Sequence, residues 1–247
     1  MLRKIAMVIV LLQFTACAEI QQVISQLPTQ GSTGLGNAQI GAGLKQALDN
    51  GITKQVSTLA LKDGFNKNSL VKILLPAELQ KVDKTLRSIG LSHLADEGLK
   101  VLNRAAEDAV SEAIPVFVNA IKEMSFNDAK QILLGDQMAA TSYLKSTTST
   151  SLYQKFNPII KNSFQKVGAD KIWKNLIGKY NSVPFVKKVN PDLTDYVTTQ
   201  ALSGVFKMVA VEEKNIRTNL GARNTDLLRK VFALQDNLGF NTNYNPK

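Results

Sequence analysis

The side chains of this sequence that stand as catalytic groups could are carboxylates paired with guanidiniums. Arg104 precedes Glu107 by three residues and Asp108 by four, while Glu213 precedes Arg217 by four and Glu212 by five. On a helix, spacings of three and four set side chains beside each other. Two carboxylates held roughly 5–9.5 Å apart across a cleft could hydrolyse a glycosidic bond. The same spacing more often makes surface or interhelical ion pairs, so a carboxylate-based hydrolase is one reading among several. Other templates fail. His93 is the single histidine, which rules out a two-histidine zinc motif and leaves any triad dependent on one residue near a helix start. There is no Walker phosphate loop and no GxSxG elbow, and no strand precedes the glycines at 34, 36, 41 and 43. The chain asks for no cofactor and no metal.

Helices must position these groups. Of 247 residues, 44% are hydrophobic but only 6% aromatic, which favours helices over a β-sandwich. Ile40, Leu44, Leu48, Ile52, Val56 and Leu59 recur at three or four and predict a helix from Asn37, closed by the turn Asp63-Gly64. Residues 71–75 are a short extended candidate, and Pro76 opens the next helix, which Gly90 ends. Residues 93–124 read as one long helix kinked at Pro115. Ser125 and Asp128 form a capping box for a helix closed by Gly135, and another follows from Gln137 to Lys145. The Ser/Thr run 146–151 should bring a break or a weak helical turn. The stripe then resumes with Tyr153, Phe156, Ile160, Phe164 and Val167, and continues with Ile172, Trp173, Leu176, Ile177 and Tyr180. Pro184 and Pro191 bracket a linker, 192–219 is the second long helix, and Thr225–Ala233 is the last. The expected fold is all-α, an irregular multi-helix bundle with two long helices and one short extended candidate.

Residues 1–18 carry a different signal. Arg3 and Lys4 precede the apolar run 5–12, and small residues follow around Ala16-Cys17-Ala18. This is a secretory pattern, far short of the roughly 20 apolar residues that span a membrane. Phe14-Thr15-Ala16-Cys17 resembles a lipoprotein signal, in which Cys17 would carry the lipid anchor, whereas an Ala-x-Ala cut would discard it. Cys17 is the single cysteine, so an intrachain disulfide is excluded. Residues 19–36, polar with Pro28, read as a flexible tether; 37–233 form a single helical domain and 234–247 a polar tail. The expected location is the periplasm, with the chain membrane-anchored as a lipoprotein if Cys17 is kept.

Without Arg3 and Lys4 the charge is +8, and most of it is concentrated. Residues 151–190 hold Lys155, Lys161, Lys166, Lys171, Lys174, Lys179, Lys187 and Lys188 against Asp170 alone, with aromatics interleaved. Export removes nucleic acid as the natural partner and leaves an anionic envelope surface or another envelope protein. A solvated lysine face over an aromatic core would look the same.

Several ordered blocks give a family resemblance. They are Asp63-Gly64-Phe65-x-x-Asn68, 71–76, Asn103-Arg104-Ala105-Ala106-Glu107, Asp128-Ala129-x-x-Ile132-Leu133-x-Gly135, Ala140-Thr141-x-Tyr143 and Phe156-x-Pro158-Ile159. Later come Asp192-Leu193-x-x-Tyr196-Val197, Ala201-Leu202-x-Gly204-x-Phe206, Glu212-Glu213-x-x-Ile216-Arg217 and Arg223-x-Thr225-x-Leu227-Leu228-x-x-Val231-Phe232. Over residues 38–233 the chain resembles the domain of unknown function 4197 family. The resemblance implies an all-helical exported domain and supplies no reaction, ligand or catalytic residue. Arg104, Glu107, Glu212, Glu213, Arg217 and Arg223 fall in its blocks, with Asn103, and are expected to meet in part as an interhelical polar network. The function expected is a non-enzymatic binding or structural module of the envelope. A carrier of a lipid or other apolar ligand is the alternative beside the hydrolase.

Overall fold

The computed structural model describes residues 36–88, 90, 92–182, 184–185, 188, 190 and 192–237. Residues 1–35, where a signal segment with Cys17 and a tether are expected, lie outside the described residues, as do Lys187, the residues from 238 and the side chain of Lys179. The chain divides into a segment Met1–Asn37 and a body Ala38–Lys247. The body is all-α, and no strand forms among its described residues.

Its helices are α1 (Asn37–Ala60), α2 (Gln80–Ser88), α3 (Ser92–Val110), α4 (Ala113–Glu123), α5 (Phe126–Leu133), α6 (Ala139–Lys166), α7 (Ala169–Asn181), α8 (Thr194–Thr218) and α9 (Asp226–Asn237). Short 3-10 turns, Ala77–Leu79 and Leu220–Ala222, lead into α2 and out of α8. Helix α6 is the hub, packing against α3, α4, α5, α7 and α8. Its buried stripe of Leu144, Thr148, Leu152, Phe156, Ile160 and Phe164 follows the helical period. Phe117 of α4 meets Phe206 of α8 edge to face, their centroids 5.9 Å apart, a geometry that suits the ring quadrupoles. Gly43 of α1 lies where a Cβ would come within 2.5 Å of Val231, so only glycine lets α1 approach α9 this closely.

Two expectations are corrected. Residues 93–124 are two helices, because Ser111 and Glu112 form a turn and Pro115 sits in the first turn of α4. There the missing N–H has no helical partner to lose, so the proline helps to start a helix instead of kinking one. The Ser/Thr run does not interrupt α6. Ser146 and Thr147 donate to Tyr143 O at 2.8 and 2.9 Å, and Thr148 donates to Leu144 O at 2.5 Å. The hydroxyls bond within their own helix while one side of it packs in the core. Pro158 also lies inside α6, flanked by buried Phe156 and Ile160, whose packing keeps the helix running. Of the two long helices expected, 192–219 stands as α8 and 93–124 divides, while α6 is the longest described helix at 28 residues.

Residues 71–75 are extended, as expected, and join no sheet among the described residues. Val71, Ile73 and Leu75 are buried while Lys72 and Leu74 are exposed, the alternation of an extended chain. At Ile73 its partner is a side chain. Asn103 of α3 accepts from Ile73 N at 2.8 Å and donates to Ile73 O at 2.9 Å, closing the pair of bonds a neighbouring strand would have made.

Candidate functional site

A charge enters a protein interior only with partners for its hydrogen-bonding capacity. The motif residues enter as three clusters and one cleft. In the first cluster, Glu107 of α3 is 4% exposed and its carboxylate closes the turn after α1. Oε1 accepts from Phe65 N at 3.0 Å and Asn66 N at 3.1 Å, and Oε2 accepts from Asp63 N at 3.2 Å. Asp63 has a positive φ of 71°, a conformation Asp tolerates better than most residues. Arg104 bridges the two acids, donating to Glu107 Oε2 and to Asp63 Oδ1, the latter at 2.6 Å. Hydrogen bonds from Asn66 and Lys67 hold the Asp63 carboxyl down at about 2; burial opposes them and Arg104 assists. Burial pulls the Arg104 guanidinium down, but its bonds to Glu107 and Asp63 prevail and leave it raised.

The second cluster sits at the corner between α5 and α6. The first amides of α6 lack a side-chain cap from Met138. Glu213 of α8 caps them from a distance, accepting from Ala140 N at 2.9 Å and from Thr141 N and Oγ1 at 2.8 Å. One turn further along α8, Arg217 is 1% exposed and donates to Ile132 O at 2.7 Å and Leu133 O at 3.2 Å, the last carbonyls of α5. It also binds Glu213 Oε1 at 2.8 Å and Gln235 Oε1 at 3.1 Å. Anion at a helix start and cation at a helix end match both macrodipoles and satisfy groups a helix leaves open.

The third cluster repeats this logic at the end of α8. Arg223 donates to Ile216 O at 3.0 Å and Arg217 O at 2.9 Å, forks onto Asp236 of α9 at 2.5 and 3.0 Å, and lies 5.3 Å over the Phe232 ring. Helix α9 runs to Asn237, past the expected end at Ala233, so Gln235 and Asp236 are structural residues and not a tail. Asp63, Thr141, Gln235 and Asp236 are partners that the spacing of charges did not single out. An acid or amide within reach of a motif arginine is invisible until the fold brings it there.

Glu212 faces elsewhere. It accepts from Gln55 Nε2 of α1 at 2.7 Å, and Lys54 Nζ is 3.6 Å away. It lines a half-open cleft of about 270 Å³ with Asn50, Asn215 and Asn224. It is the one acidic residue of that lining, so this cleft does not pair two carboxylates for glycoside hydrolysis. Asp108, the other acid of the spacing argument, is exposed and accepts from Ser163 Oγ at 2.7 Å, tying α3 to α6. His93 is exposed at the start of α3.

The lysines stand apart from these clusters. Lys155, Lys161, Lys166, Lys171, Lys174 and Lys188 are exposed; Lys155 has Glu112 3.8 Å away. Among the described residues no helix is long and apolar enough to cross a membrane, and no group of three or more His, Cys, Asp and Glu side chains is placed to hold a metal. Comparison with curated proteins and with solved structures gives no match. A family match covers residues 34–233, most of the helical body with the cleft and the clusters apart from Gln235 and Asp236, and by it the chain belongs to the family described as protein of unknown function DUF4197.

Proposed function

We infer that this chain is a non-enzymatic module of the bacterial envelope, exported by its first 18 residues, held near a membrane by a lipid on Cys17, and bound to anionic lipid through α6 and α7. The observation that carries the reading is the contrast between two sets of charge. The buried charges of the motif blocks are engaged with helix ends and the turn after α1, whereas Lys161, Lys166, Lys171, Lys174 and Lys188 stand exposed. Val167, 59% exposed, and Phe185, fully exposed, lie in the same stretch of chain. Lysines near an anionic bilayer contribute about 1 kcal/mol each, and apolar side chains among them add burial at the headgroup boundary.

Vesicle co-sedimentation tests it. The purified body should bind vesicles containing phosphatidylglycerol, release them as salt is raised, and ignore pure phosphatidylcholine. Replacing Lys166, Lys171 and Lys174 by Glu should abolish binding without lowering the melting temperature. Binding indifferent to lipid charge and salt would end the proposal. Intact mass of the mature protein from cells tests the anchor: a diacylglycerol-bearing Cys17 is expected, and a chain beginning after residue 17 would remove it.

A further inference from the structure

The cleft beside Glu212 is not used by the surface reading. It lies among α1, the C-terminal part of α8, the 3-10 turn Leu220–Ala222 and the start of α9. Its polar lining is Asn50, Lys54, Glu212, Asn215 and Asn224, and its apolar lining is Ala47, Ile216 and Leu228. A volume of about 270 Å³ suits a ligand of monosaccharide or amino-acid size. The Glu212 side chain is only 12% exposed, and its stem is pressed against α1 at Gly51, where a Cβ would stand 3.0 Å from Glu212 Cγ. The carboxylate is therefore held by the fold and not swinging in solvent.

Its two oxygens are unequally used. Oε2 accepts the Gln55 amide at 2.7 Å. Oε1 has Lys54 Nζ at 3.6 Å, close enough for attraction and too far for a hydrogen bond. The Lys54 side chain is 66% exposed, and an exposed ion pair of this kind holds weakly. A recessed carboxylate with acceptor capacity left over favours a compact cation that donates N–H bonds. The carboxamides of Asn50, Asn215 and Asn224 can both donate to and accept from the neighbouring groups of such a ligand.

We propose that this cleft binds a small protonated primary amine carrying hydroxyl or amide groups, with its ammonium on Glu212 Oε1 and Lys54 displaced outward. An amino sugar and a basic amino acid amide share this chemistry. Nuclear magnetic resonance titration of the mature protein with D-glucosamine, with lysine amide and with uncharged N-acetylglucosamine separates them. Saturable shifts confined to the amides of Asn50, Gly51, Asn215, Gly221 and Asn224 are expected for at least one amine, and the responding amine identifies the source. Glu212→Gln keeps an acceptor for Gln55, so the fold should survive, and it should weaken amine binding about tenfold or more. Lys54→Gln should tighten amine binding severalfold, because it removes the internal competitor; a merely structural role for Glu212 would not produce that gain. The proposal is overturned if neither amine saturates, if N-acetylglucosamine binds as well as glucosamine, or if Glu212→Gln, folded by its melting temperature, binds the amine as wild type does.

Discussion

At the scale of single residues, Arg217 joins more of the molecule than any other charged group described. Arg217→Ala removes the donors for Ile132 O and Leu133 O and leaves Glu213 buried without its cation. Breaking a buried pair on one side costs about 3–5 kcal/mol, so urea melts of this variant should show a loss of that size. A loss under about 1 kcal/mol, the level of a surface ion pair, would mean that the pair is not the tie described. Asp63 gives a prediction in pH. Its carboxyl titrates at about 2 in the fold against 3.8 in the unfolded chain, so unfolding takes up a proton as the solution becomes acid. The stability it supplies is whole above pH 3.8 and drains away between 3.8 and 2. Asp63→Asn, which tolerates the positive φ, should show a flatter melting temperature across that window; a slope equal to wild type would refute the assignment. Only half of each such site was legible in the chain. Glu107 and Arg217 can be singled out by their spacing from Arg104 and Glu213, but Ala140 N, Ile132 O and Asp236 become partners through packing that no local pattern encodes.

At the scale of elements, the Ser/Thr run tests what holds α6 together. Hydroxyls that bond back to carbonyls three or four residues earlier lower helix propensity without ending a helix whose other face is buried. Changing Ser146, Thr147 and Ser149 to Ala together should therefore raise stability by about 1 kcal/mol, read as a higher melting temperature. Destabilisation would mean that the hydroxyls stabilise the helix. The helix starting at Asn37, the capping box of Ser125 and Asp128 and the helix over 194–218 were legible, because periodicity and cap chemistry are local. The unbroken α6 and the role of Pro115 were not. Each turns on whether a weak local signal meets strong burial, and Leu144, Leu152 and Phe156 supply that burial from five neighbouring helices.

At the scale of the whole molecule, the hub position of α6 sets a hierarchy of local stability. Amides in the middle of α6, at Leu144, Leu152 and Phe156, should exchange with solvent only through global unfolding. Those of α2, which packs on α3 and its own 3-10 turn, should exchange sooner. Hydrogen exchange read residue by residue checks this, and uniform protection of α2 and α6 would contradict it. The all-α class was legible from composition, but the hub was not: which helix is surrounded depends on contacts between segments far apart in sequence.

The remote capping of the α5–α6 corner has a consequence for the order in which the protein can be made. Glu213 lies 72 residues beyond the Thr141 it caps, and Arg217 lies 85 beyond Ile132. A chain emerging N-terminus first therefore carries that corner with bare helix ends until most of α8 has been synthesised. Contacts so distant form late because loop closure opposes them. Helices α8 and α9 act as a clasp, and a chain cut before Glu213 is an unfinished object, not a smaller domain.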